Sequence, residues 1–89
     1  MGGSLIRTIR KDDVKSVEDM ARYLIETFSW FDYEEQRREE AVKKVIDTCD
    51  HERIKKAYEW FINQSYDYMA TGEVIHWAME YVRGERDFL

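Results

Sequence analysis

Two short stretches hold the residue types that most often do chemistry. Glu73-Val74-Ile75-His76 sets a carboxylate and an imidazole three residues apart, on one face if the segment is helical. Di-iron bundles use that spacing, but in two copies with two further glutamates, and this chain has one copy. The expected state is a solvated face, with His76 between Glu73 and Glu80. Asp47, Cys49, Asp50 and His51 form the second cluster. It lacks the paired ligand spacing of structural zinc sites. As a Cys/His nucleophile pair it lacks a visible third group and an oxyanion loop. A cysteine on an apolar stripe followed by a helix cap accounts for the same residues. There is no glycine-rich phosphate loop. The sequence therefore points to no catalytic residue, no metal and no cofactor, and the chain reads as a non-enzyme.

The elements that position these residues are helical. Proline is absent and only four glycines occur among 89 residues, which favours long helices over many short strands. Met1-Gly2-Gly3-Ser4 reads as an appended leader, and residues 5–89 as a single α-helical domain. Leu5–Ile9 is short and β-branched, so it reads as a lone strand or an extended arm, with a turn at Asp12-Asp13. Ser16 with Asp19 three residues on resembles a capping box. Val17, Met20, Ala21, Leu24, Ile25 and Phe28 then recur at helical spacing. Asp32 and Glu35 give a second cap signal, for a helix whose apolar stripe is Ala41, Val42, Val45, Ile46 and Cys49. Its polar start, "EEQRREE", either projects into solvent or meets a partner. Asp50 caps a third helix with Ile54, Ala57, Tyr58, Phe61 and Ile62 on one face. The third helix either breaks near Asn63-Gln64-Ser65 or runs to Thr71, with Gly72 the better break before a fourth helix, which should end at Val82 or Arg83 with Gly84 just beyond it. The expected architecture is all-α: a small four-helix bundle-like domain with a short extended N-terminal arm.

The aromatic residues divide on a helical wheel. On the fourth helix Val74, Trp77, Ala78 and Tyr81 share a face that Ile75, Met79 and Val82 widen, so this helix should be central and Trp77 core. On the third, Trp60 lies about 240° from Ile54, off the stripe. Tyr23 is similarly off the stripe of the first helix. Trp30, Phe31 and Tyr33 crowd one inter-helix loop. Tryptophan and tyrosine are over-represented in binding hot spots, so Tyr23, Trp30, Phe31, Tyr33 and Trp60 are candidate partner-binding residues.

Charge adds Asp67, Glu73 and Glu80 to that set. The net charge is −5, and residues 63–89 hold five acids against two bases. An acidic chain is not drawn to phosphate by its overall field, and a basic protein surface is the more natural partner. Lys43, Lys44, Arg53, Lys55 and Lys56 flank the turn between the second and third helices, as in a helix-turn-helix DNA reader. Asp47, Asp50 and Glu52 interrupt that patch and argue against nucleic acid. No apolar run reaches the roughly 20 residues of a membrane span. A lone cysteine allows no internal disulfide, and a reducing cytoplasm is the simplest home.

In size and acidity alone the chain is similar to bacteriocin immunity proteins and to phage-encoded inhibitors such as anti-CRISPR proteins, with no shared motif. That similarity implies a small inhibitor docking on a basic protein surface. The alternatives are a structural homo-oligomer, with a homodimer in which surplus rings meet their symmetry mates, and a helix-turn-helix DNA-binding protein.

Overall fold

A computed structural model describes residues 9–29, 37–64 and 68–89, without the side chains of 68–70. Among them are four α-helices: α1 (Val17–Phe28), α2 (Arg38–Thr48), α3 (His51–Ile62) and α4 (Tyr68–Val82). They pack as a compact helical bundle. The expected arm lies outside the described residues except for Ile9, which is buried. The aspartates after it close a 3-10 turn, Lys11–Asp13.

The start of α1 departs from a reciprocal capping box by one residue. Ser16 Oγ accepts from the Asp19 amide at 3.1 Å, while Asp19 Oδ2 accepts from the Lys15 amide rather than that of Ser16. Both bonds satisfy amides that the helix itself leaves open. In the second half of α1, Leu24, Ile25, Glu26, Thr27 and Phe28 are all buried. Five consecutive buried residues mean that this half of α1 is covered all round. It packs on α2, α3 and α4, whereas α4 packs on α1 and α3. The helix with most neighbours is thus α1, while α4 touches two, as expected. Periodicity misses the central place of α1 because Glu26 and Thr27 are polar and break the apolar stripe.

The Asp32–Glu35 cap signal lies outside the described residues, and α2 begins at Arg38 with Glu39 and Glu40 in its first turn. Arg22 of α1 grips Glu39 with two guanidinium nitrogens, one at 2.9 Å, so part of the polar start of α2 meets α1. Val42 and Val45 are buried and the rest of the stripe is half-buried. A two-residue link leads to α3, where Asp50 Oδ1 accepts from the Glu52 amide at 2.8 Å.

Gly72 does not end a helix. The third helix stops at Ile62, because Asn63 and Gln64 supply the stop signal. Their amides bond three residues back, to Trp60 and Phe61. Their side chains donate to the Glu59 and Trp60 carbonyls, taking acceptors that would otherwise be left open at a helix end. Gly72 then sits inside α4, where an interior glycine costs only about 1 kcal/mol relative to alanine.

The far end of α4 closes with a Schellman motif. Gly84 has φ +81°, its amide bonds the Tyr81 carbonyl, and the Glu85 amide bonds that of Glu80. This is the left-handed position that glycine fills without a Cβ clash.

Candidate functional site

The seam between α3 and α4 brings together residues far apart in sequence. Trp60 and Trp77 meet with ring centroids 6.1 Å apart and planes at 34°. Both are half-buried, and Trp60 packs against the core. The division of Trp77 as core and Trp60 as outside it therefore does not hold. The buried positions of α4 are Ala78 and Tyr81 of the expected face, with Ile75, Met79 and Val82, the residues that widened it. That face is aimed at α1 as well as α3, which rotates Trp77 toward the rim.

Beyond Gly84 the chain turns back onto this seam. The Arg86 guanidinium lies 3.8 Å from the centroid of the Trp77 ring, and its Nε donates to Glu80 Oε1 at 2.6 Å. The two side chains retain 36% and 41% of their exposure, so water reaches the ion pair. Beneath it, Trp77 Nε1 is buried and finds no acceptor. Arg53 of α3 fixes the segment from the other side. Its Nη1 donates to the Tyr81 and Arg86 carbonyls, both at 2.8 Å, and its guanidinium lies over the Tyr81 ring. A cation is well placed here, because the last carbonyls of a helix carry partial negative charge.

The candidate residues fall in different places. Glu80 joins the tryptophan seam. Glu73 is exposed one turn before Trp77 on the same helix. Tyr23 is half-buried and makes edge-on ring contacts with Tyr58 and Phe61, so it belongs to the core wall. Trp30, Phe31, Tyr33 and Asp67 lie outside the described residues. Of the rings that fed the homodimer expectation, Tyr23 and Trp60 are packed, and Phe88 is the one exposed large hydrophobic among the described residues, at 69%.

Sequence reasoning missed Arg53 and Arg86. Arg53 was grouped with the basic turn, and Arg86 lies past the glycine that ends the last helix. The one available signal was the cation–aromatic composition of Trp77, Glu80 and Arg86.

The other clusters disperse. His76 is exposed, as on a solvated face; its Nδ1 pairs with the Gly72 carbonyl at 2.7 Å and its ring meets Phe28 edge-on. His51 Nε2 pairs with the Ile46 carbonyl, and Asp50 is spent on its cap. Among the described residues no three His, Cys, Asp or Glu side chains converge as metal ligands would. The basic turn loses Arg53 to the end of α4, and Lys55 faces Glu52 at 3.7 Å. A groove of ≈ 430 Å³ runs between α1 and α2 past the Arg22–Glu39 pair. The hydrogen bond from Arg22, then its charge, holds the Glu39 carboxyl below its ordinary value, and the same bond raises the Arg22 guanidinium. No helix among the described residues is long and apolar enough to cross a membrane.

Compared with known protein families, curated proteins and solved structures, the chain matches none.

Proposed function

We propose that this chain is a non-enzymatic, acidic protein-binding module that docks on a basic protein surface. The observation that carries the reading is the α3–α4 seam. Two rigid indoles lie half-exposed together, with Glu73 and Glu80 one turn before and after Trp77 on the same helix. Aromatic anchors beside carboxylates suit a cationic partner, since both the ring faces and the carboxylates attract positive charge. The acidic surplus of residues 63–89 adds a field that favours encounter with such a surface. Inhibition is the form this activity takes if the surface covered is the partner's working site.

The test is affinity capture from a lysate of the source organism, with the unaltered chain beside the Glu73→Lys/Glu80→Lys variant. The expected result is a basic protein retained by the first and lost by the second, with no shift of duplex DNA by either. Capture that ignores the charge reversal, or a salt-sensitive DNA shift, would contradict the reading.

A further inference from the structure

The geometry points to a guanidinium-binding site on α4, formed by the Trp77 ring face and the Glu80 carboxylate, which takes an arginine of a basic partner in place of the chain's own Arg86. This rests on the protein-binding reading and deepens it by naming the recognised group. Arg86 itself is the observation that points to the ligand. Its guanidinium stacks at 3.8 Å on the Trp77 ring while its Nε binds Glu80, so one group meets an aromatic plane and a carboxylate together. A planar, weakly hydrated guanidinium can do both, whereas a lysine ammonium cannot stack.

The resident arginine is replaceable. It is held by one part-buried ion pair that water still reaches and by the stack on Trp77, contacts of modest strength. Its segment lies beyond the last helix, after a glycine turn, and is anchored through the backbone by Arg53. Arg86 can therefore swing off Trp77 while Arg53 keeps its bond to the Arg86 carbonyl. Glu73, Glu85 and Asp87 are all exposed and near the site in sequence, a surplus of acid that draws a further cation to this end of α4.

The experiment is calorimetric titration with a hexa-arginine peptide and its hexa-lysine counterpart at low salt. The unaltered chain is compared with Arg86→Ala, Arg86→Lys and Arg86→Ala/Glu80→Gln, each checked for folding by denaturation midpoint. Arg86→Ala should bind hexa-arginine about five-fold more tightly, the factor by which contacts of ordinary exposed strength hold the site closed. Arg86→Lys should fall between. Adding Glu80→Gln should remove the gain, and hexa-lysine should show a smaller one, from the lost positive charge alone. Equal affinity of the unaltered chain and Arg86→Ala for hexa-arginine, or equal gains for both peptides, overturns the site. If that equality comes with salt-sensitive binding, the guanidinium site fails while docking by charge survives; no binding of either peptide to any variant removes both. Light scattering on the Arg86→Ala sample covers the remaining occupant, since a dimer lost on this substitution would mean that a second copy's Arg86 fills the site.

Discussion

Trp60 and Trp77 share one environment, with centroids 6.1 Å apart across the α3–α4 seam. Residues in contact do not contribute independently to stability. Trp60→Ala and Trp77→Ala should therefore each cost about 2–3 kcal/mol, below the ~3–5 kcal/mol of an enclosed aromatic site. The double variant should cost less than the sum by about 0.5–1.5 kcal/mol, the usual worth of an aromatic pair. Urea denaturation of all four proteins gives the cycle. Strict additivity would mean that the rings touch without coupling.

The Arg22–Glu39 bridge makes stability depend on pH in a definite direction. The folded-state carboxyl of Glu39 lies below its unfolded value, first through the Arg22 hydrogen bond. Its contribution is then present above the unfolded value and is lost as pH falls through the folded one. Glu39→Gln should be less stable than the unaltered chain at neutral pH, and the gap should close in acid. A midpoint difference that stays constant from neutral to strongly acidic pH would show that the bridge does not stabilise the fold.

How much of this was legible in the sequence depends on where the signal is local. Ser16, Asp50 and Gly84 mark helix ends through their own side chain or lack of one, and all three act where expected. The stripes of α2 and α3 could be read because one face of each is apolar. The centrality of α1 was hidden, because burial of Glu26 and Thr27 is imposed by neighbouring helices rather than by local pattern. The break at Asn63-Gln64 lost to Gly72 in sequence reasoning, since side-chain amides capping carbonyls are a weaker cue than a glycine. The candidate site was half legible. Trp60 and Glu80 stood out as residues, but their meeting depends on tertiary packing and on the return of the chain after Gly84.

Gly84 should resist substitution for conformational reasons alone. A Cβ there meets nothing within 4 Å, so crowding plays no part. Gly84→Ala should cost about 1–2 kcal/mol for a left-handed L residue, and Gly84→Asn less, because asparagine tolerates that region. Thermal melts of both decide it. An alanine variant as stable as the unaltered chain would mean that the turn relaxes to negative φ.

Arg53 ties the end of α4 to the segment beyond it through two carbonyls and the Tyr81 ring. Arg53→Ala should speed amide exchange across residues 84–89, with a smaller effect in the middle of α4. Arg53→Lys should rescue in part, because one ammonium can reach both carbonyls as Nη1 does but offers no plane to stack on Tyr81. Exchange by mass spectrometry reads both, and unchanged rates after Gly84 would show that the segment is held by other contacts.

The central claim is that the acidic chain engages cationic partners through the Trp60–Trp77 seam. The most direct measurement is a nitrogen–proton correlation NMR spectrum followed through titration with a hexa-arginine peptide. The account predicts that the indole signals of Trp60 and Trp77 and the amides of Glu73 and Glu80 move first and furthest. Leading shifts in α2 around Glu39, Glu40 and Asp47, with the two indole signals still, would contradict it.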